Sequence, residues 1–323
     1  MARPAMPDHE ILPSLDTLQA AARLIAPVLL PTPLLVARAD GLGALRLKPE
    51  NLQRTGSFKI RGAYHKLMLS LEDARSRGVI AYSSGNHGQA VACAAALLGC
   101  RARIVMPEGG VLEKRRGVEA YGGEVVLCQG GSDERRRIAE EQAAQEGFVL
   151  VPPYDDLDII AGQASVGLEI AQAFPEVRQV LVPVGGGGLL AGTALALKAL
   201  LPQVRVIGVE PQGANDLAQS FARGEHVALP TVDTAADGLR TQSVGRVNYR
   251  ILRQVVDEVV TVSEDEILAA ARSLLRREKL LVEPSGAVAY AAFMAGRVAQ
   301  GPPSAAVLSG GNIAQDYLRQ VVG

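Results

Sequence analysis

The chain has 323 residues, a mass of 33.9 kDa, a formal charge of −1 and 48% hydrophobic residues, an ordinary globular composition with length for about two domains. A pI near 6.5, 4% aromatic residues and no tryptophan supply neither the basic surface nor the stacking platforms of a nucleic-acid binder. The three cysteines (Cys93, Cys100, Cys128) form no C-x-x-C pair and the four histidines no H-E-x-x-H, so reduced buried thiols and no zinc site are expected.

Residues 1–15 place prolines and acids where an export signal needs a basic region and then an apolar stretch, which predicts a cytoplasmic protein. Apolar runs around Ala90–Leu98 and Leu189–Leu197 are interrupted by Gly99, Gly192 and Lys198. They fall short of the roughly 18 residues needed to span a bilayer, so no membrane partner is expected.

In chain order, Glu50–Ala63 is a small-residue loop with a helix start at Ser57. A strand is predicted at Val79–Ser83, followed by the polar junction Ser83-Ser84-Gly85-Asn86-His87 and an alanine-rich helix. Strands at Ala102–Met106 and Glu124–Cys128 flank a helix at Leu112–Tyr121. A helix at Asp133–Glu146, a strand at Phe148–Val151 and a helix at Ile160–Phe174 follow. The strand Gln179–Val184 runs into a tetraglycine and the helix Leu189–Leu200. Beyond it come strands at Arg205–Val209 and Glu258–Val262 and helices at Glu264–Arg277 and Gly286–Val298. Ser263 and Glu266 form a capping box at the first of these two helices. The strand Ala305–Leu308 leads through Ser309-Gly310-Gly311-Asn312 into a last helix.

Most strand candidates are continuous Val/Ile/Leu runs, as in parallel strands covered on both faces. The fold class is therefore α/β, with two open, mostly parallel sheets. No linker cuts the chain in two, so the domains are expected to exchange segments: 77–153 forms the smaller, and 1–76 with 154–323 the larger. Ligands of such sheets sit outside the carboxyl ends of the strands.

Gly185, Gly186, Gly187 and Gly188 form one such junction, where backbone N–H groups and a helix N-terminus suit a phosphate. Gly186-x-Gly188-x-x-Ala191 also satisfies a dinucleotide fingerprint, and Glu210 ends the next strand, so an NAD-dependent dehydrogenase competes. Against it, Lys59 lies in a first helical turn, where the dipole disfavours an ammonium and favours the neutral amine of Schiff-base chemistry. Ser83, Ser84, Asn86 and His87 offer hydroxyls, an amide and free N–H groups for a carboxylate.

Thr55-Gly56-Ser57-Phe58-Lys59 with the downstream tetraglycine closely resembles the fold-type II pyridoxal phosphate enzymes, specifically the threonine/serine dehydratase and serine racemase family. The resemblance runs from Thr32-Pro33-Leu34 to Ser309-Gly310-Gly311-Asn312. It implies a tryptophan synthase β-like fold with pyridoxal 5′-phosphate between the domains and Lys59 carrying the cofactor. It further implies Phe58 against the pyridine ring, Asn86 on the 3′-oxygen, Gly185 to Gly188 on the phosphate and Ser309 on the pyridine nitrogen. Gly238 and Glu283 are placed beside the ring, and Ser83, Ser84, Asn86 and His87 at the substrate carboxylate. Glu210, Ala214 and Asp216 resemble the family's divalent-cation site, for Mg²⁺ or Ca²⁺.

The implied reaction is β-elimination of L-threonine or L-serine to a 2-oxo acid and ammonia, by a homodimer or homotetramer. Gly162-Gln163-Ala164-Ser165 departs from the usual Gly-Gln-Gly-Thr, and the end at Gly323 leads us to expect no effector domain. Ser84 keeps serine racemase open, since racemisation needs an acid opposite the lysine. A pseudo-enzyme is disfavoured by the intact Lys59 and Ser83–His87 loop. Which β-hydroxy amino acid is used (threonine, serine or 3-hydroxyaspartate) stays open.

Overall fold

A computed structural model describes residues 12–39, 42 and 44–323; most of the segment read for an export signal lies outside the described residues. Among the described residues no helix is long and apolar enough to cross a membrane.

Among the described residues ten strands form two sheets. They are β1 (Leu35–Val36), β2 (Leu45–Pro49), β3 (Val79–Tyr82), β4 (Ala102–Pro107), β5 (Glu124–Cys128), β6 (Val149–Leu150), β7 (Gln179–Pro183), β8 (Arg205–Pro211), β9 (Glu258–Val262) and β10 (Ser304–Leu308). The six-stranded sheet has the order β1-β2-β10-β7-β8-β9 and the four-stranded sheet β5-β4-β3-β6. Every pairing is parallel except β1 with β2.

The apolar strands are buried on both faces. Val180, Val182, Val206, Ala305 and Val307 face one core, while Leu181, Ile207, Val209, Ala306 and Leu308 face another. In the smaller sheet Val79, Ala81, Ile104 and Met106 share a core with Ile60, Ala63 and Leu67 of the Lys59–Leu69 helix. Ile80 and Val105 face the opposite side.

Several expected boundaries move. β1 and β2 went unseen: β1 is two residues long, and β2 alternates charge with leucine around a buried Lys48. The helix expected from Ser57 begins at Lys59, and the last begins at Gln315 instead of at the Ser309–Asn312 turn. The Ile160–Phe174 helix is two, Leu157–Gln163, capped by the Asp156 carboxylate, and Ser165–Ala173. The Glu264 helix keeps its Ser263/Glu266 capping box but ends at Ser273 and widens into a π-turn over Leu274–Glu278.

Gly62 and Gly162 mark the crossing of the Lys59–Leu69 and Leu157–Gln163 helices. A Cβ on Gly162 would lie 2.6 Å from the Gly62 Cα, so the two backbones approach as only glycine allows. That crossing seats the helix that begins at Lys59.

Candidate active site

The carboxyl ends of β3, β7 and β10 converge on a cavity of about 370 Å³. Its walls include Phe58, Lys59, Ser83, Ser84, Asn86, His87, Gly185 to Gly188, Gly238, Glu283 and Ser309. Residues from six separate stretches of chain thus meet in one cleft.

The Lys59 loop is held from both sides. Gly56, at φ +69°, makes the turn, the Phe58 N–H donates to the Ser309 carbonyl (3.1 Å), and Ser57 bridges to Gly310. Two residues on, the fully buried Arg61 guanidinium donates to both Glu50 oxygens (2.7 and 2.8 Å) and to Glu169 (2.6 Å); Lys48 pairs with Glu169 as well. Lys59 is the first residue of its helix, and its Nζ donates to the Pro153 carbonyl (2.8 Å). Burial pulls its pKa down to about 8, which makes the neutral amine accessible near physiological pH.

The tetraglycine lies between β7 and the Gly188–Leu200 helix. Gly187 takes φ +92°, and the Tyr154 ring packs so tightly on Gly186 that a Cβ there would overlap it. Asn248 braces the loop by donating to the Gly186 carbonyl (2.6 Å), and Asp155 accepts from the Val247 N–H (2.9 Å) at the start of Asn248's helix. The N–H groups of Gly185, Gly186 and Gly187 donate to no carbonyl or side chain among the described residues. Unused donors beside a helix N-terminus fit a phosphate group. Gln163, also on the cavity wall, keeps a buried Oε1 without a partner.

At the polar junction the Ser83 hydroxyl accepts from the N–H groups of Gly85 and Gly88 (2.9 Å each), which ties the turn together. Ser84 is exposed in the cavity, with no partner for its hydroxyl among the described residues. Burial, and then the charge of Lys59, lower the His87 pKa to about 3. Its ring is therefore neutral and donates from Nε2 to the Val151 carbonyl (2.9 Å), so His87 can offer an anion its backbone N–H but no imidazolium. Asn86 donates to Glu283 (2.5 Å) and accepts from Asn312 (2.9 Å). Glu283 is paired in turn with Lys114 (2.8 Å), which also binds Asp237 (2.6 Å). Ser309 donates to the Ser285 carbonyl (3.3 Å), and Ser285 Oγ accepts from the Gly238 N–H (2.8 Å).

A buried lysine with a lowered pKa in one cavity with a cradle of free N–H groups suits a phosphate-bearing aldehyde cofactor. The family described as pyridoxal-phosphate dependent enzyme matches residues 25–310. The chain belongs to that family. As a pyridoxal-phosphate enzyme it is 43% identical over 285 residues to the catabolic L-threonine dehydratase of Escherichia coli K12, covering 87% of this chain and 86% of that one. It is 39% identical to the L-threo-3-hydroxyaspartate ammonia-lyase of Saccharomyces cerevisiae, covering 94% of each. Its structure resembles that of maize serine racemase with a TM-score of 0.90 at 36% identity, over 95% of this chain and 96% of that one. The dinucleotide reading of the tetraglycine is thereby set aside.

Glu210, Ala214 and Asp216 lie outside the cavity. The Glu210 carboxylate accepts from the N–H groups of Leu217 (3.0 Å) and Ala218 (2.8 Å), and Asp216 accepts from Val244 (2.6 Å). Among the described residues no cluster of three or more His, Cys, Asp or Glu side chains could hold a metal, and neither carboxylate has a cationic side-chain partner.

Sequence reasoning missed Tyr154, Asn248, Asp155, Lys114 and Asp237. A tyrosine and an aspartate after β6, and a lysine inside the charged run Glu113-Lys114-Arg115-Arg116, carry no local signal of their role.

Proposed function

We propose that this pyridoxal-phosphate enzyme is an ammonia-lyase that deaminates L-threonine and L-serine by β-elimination. The single observation that carries the reading is the amine of Lys59, lowered to about pKa 8, in one cavity with the unpaired N–H groups of Gly185–Gly187 and the anion-binding start of the Asn86–Leu98 helix. Threonine, serine and 3-hydroxyaspartate, among which the relatives' names fall, share the β-hydroxy amino acid core.

Bound pyridoxal phosphate would withdraw electrons from the substrate α-carbon, which makes its proton removable and a β-substituent a leaving group. Lys59 Nζ takes that proton as general base. The N–H groups of Gly185 to Gly188 would hold the phosphate, and Phe58 and Gly238 would serve the ring. Ser309 Oγ would partner the pyridine nitrogen; a hydroxyl in place of a carboxylate would leave that nitrogen neutral and favour elimination over transamination. Asn86, held by Glu283, would serve the 3′-oxygen. The hydroxyls of Ser83 and Ser84 and the N–H groups of Asn86 and His87 hold the α-carboxylate.

In this reading residues 77–153 form a small domain and 1–76 with 154–323 a large one, with the cavity between them. We place the enzyme in the cytoplasm, in keeping with its free thiols at Cys93, Cys100 and Cys128, as a homodimer or homotetramer. Glu210 and Asp216, with the Ala214 carbonyl, would take Mg²⁺ or Ca²⁺, since two buried acids without a cationic partner suit a hard divalent ion.

A second reading, serine racemase with side dehydratase activity, rests on the exposed Ser84 hydroxyl in the cavity. Incubating the holoenzyme with L-threonine and with L-serine, and measuring 2-oxo acid, ammonia and D-amino acid together, tests both. Stoichiometric 2-oxo acid and ammonia support the lyase, dominant D-serine supports the racemase, and absence of all three products rejects both.

A further inference from the structure

Gln163 is a buried amide whose hydrogen-bonding capacity the fold leaves unused. It is 1% exposed, lies on the cavity wall and makes no hydrogen bond to any described residue, and its Oε1 is buried without a partner. Such a group destabilises the fold unless something that enters the cavity pairs with it.

The helix crossing fixes where this amide sits. Gln163 is the last residue of the Leu157–Gln163 helix, and a Cβ on Gly62 would lie 2.5 Å from its Nε2. Gly62 follows Lys59 by three positions, so the two share a face of the Lys59–Leu69 helix, on which side chains lean toward the helix start. The Gln163 amide therefore rests against the turn from which the Lys59 side chain projects into the same cavity.

Lys59 has the complementary deficit. An ammonium carries three donors, and Nζ uses one, toward the Pro153 carbonyl (2.8 Å). No carboxylate supports its charge. Glu50 and Glu169 serve Arg61 and Lys48, Asp156 and Asp158 serve Lys66 farther along the helix, and Asp237 and Glu283 serve Lys114. His87 is neutral, burial raises the phenols of Tyr82 and Tyr154, and Arg135 and Arg240 on the cavity wall add positive charge. Burial alone sets the lysine's lowered pKa. After taking the α-proton, Lys59 is a buried ammonium short of acceptors, and Gln163 Oε1 is a buried acceptor without a donor. A carboxylate in that place would hold Lys59 protonated at rest and remove the base, whereas a neutral amide supports the ammonium and leaves the amine accessible.

We propose that Gln163 is a positioning residue for Lys59, its Oε1 accepting a hydrogen bond from the protonated amine and holding it in the cavity once the α-proton has been taken. This rests on the ammonia-lyase reading and deepens it. The α-C–H bond breaks and an Nζ–H bond forms, the electron pair stays with the substrate, and no bond to Gln163 is made or broken beyond the hydrogen bond.

The test reads the Lys59 titration. In full-length apoprotein, stripped of cofactor with hydroxylamine, the pH midpoint of pyridoxal phosphate uptake is compared for the wild type, Gln163→Met and Gln163→Glu. Loss of the acceptor should lower the midpoint by about one unit, and a carboxylate should raise it by about one unit or more. A merely structural role would move the thermal midpoint and leave the pH midpoint in place. A pH midpoint that does not fall in Gln163→Met overturns the proposal; where that variant does not fold, a midpoint that does not rise in Gln163→Glu overturns it. In the holoenzyme Gln163→Met should lower kcat for L-threonine about tenfold with KM within about twofold, because the bond exists only once the proton has moved. A loss confined to KM counts against it equally. A wild type that deaminates neither L-threonine nor L-serine, with the apoprotein midpoints still moving as expected, overturns the ammonia-lyase reading and upholds the bond between Gln163 and Lys59.

Discussion

Lys114 Nζ lies 2.8 Å from Glu283 Oε2, with both side chains almost fully buried. Lys114 belongs to the helix between β4 and β5, and Glu283 caps the Pro284–Met294 helix packed on the six-stranded sheet, so this contact joins the two halves of the cleft. Burial opposes the Lys114 charge, but Glu283 and Asp237 more than offset it and raise its pKa; burial raises that of Glu283 despite Lys114. Removing one member of such a pair strands the other. Lys114→Met should cost roughly 3–5 kcal/mol, read as a lower thermal midpoint, and adding Glu283→Gln should recover part of the loss. Strictly additive losses would show that the pair is not coupled.

The lowered Lys59 pKa predicts how the apoprotein takes up cofactor. Below pH 8 the amine is increasingly protonated, so the rate of uptake of pyridoxal phosphate should fall about tenfold per pH unit and level off above about pH 8. Borohydride trapping on Lys59, followed by the loss of yellow absorbance, measures it. The same shift has a stability consequence. Between 10.5 and about 8 the unfolded chain binds more protons at this lysine than the folded one, so this contribution to apoprotein stability is full above 10.5 and is lost as pH falls through the window. In Lys59→Met that part of the pH dependence should vanish; an unchanged profile would assign it to other groups.

Ser84 separates elimination from racemisation. Elimination needs one base, whereas racemisation also needs a proton delivered to the opposite face of the α-carbon. Ser84→Ala should reduce any D-serine formation by a factor on the order of 10² while holding deamination within about tenfold, with the lost carboxylate contact appearing mainly in KM. Collapse of deamination at unchanged KM would place Ser84 in the elimination itself.

Arg61 and Glu50 sit beneath the Lys59 turn with almost no solvent exposure. Arg61→Leu should cost roughly 3–5 kcal/mol because it leaves Glu50 charged and buried. The exposed pair Arg115–Glu119, at 2.9 Å, is a suitable control: Arg115→Ala should cost less than about 1 kcal/mol. Equal shifts of the thermal midpoint would contradict the assignment of the buried network as the support of the lysine turn.

Metal removal tests the Glu210–Asp216 pair. Treating the holoenzyme with EDTA should lower its thermal midpoint, and Mg²⁺ or Ca²⁺ should restore it. No response to either would leave the two carboxyls as acceptors for the backbone N–H groups of Leu217, Ala218 and Val244.

What the chain declares on its own is what is encoded locally. Continuous apolar runs such as Gln179–Pro183 announce parallel strands because both faces are covered, and the tetraglycine announces a tight turn, with Gly186 against the Tyr154 ring and Gly187 at φ +92°. Lys59, the Ser83–His87 turn and the Ser263/Glu266 capping box were legible for the same reason: each lies at a strand–helix junction or a helix start whose geometry its own sequence dictates. The tertiary structure decided which charges are buried and with whom. Lys114 reads as part of a solvated charged run yet finds Asp237 from 123 residues away, and Asn86 finds Glu283 from 197. Arg135 is indistinguishable in sequence from Arg136 and Arg137, and only the fold turns one of the three into the cavity while its neighbours meet their acids in solvent. A charge's role follows from its dielectric surroundings and its partner, and neither is written within a few residues of it.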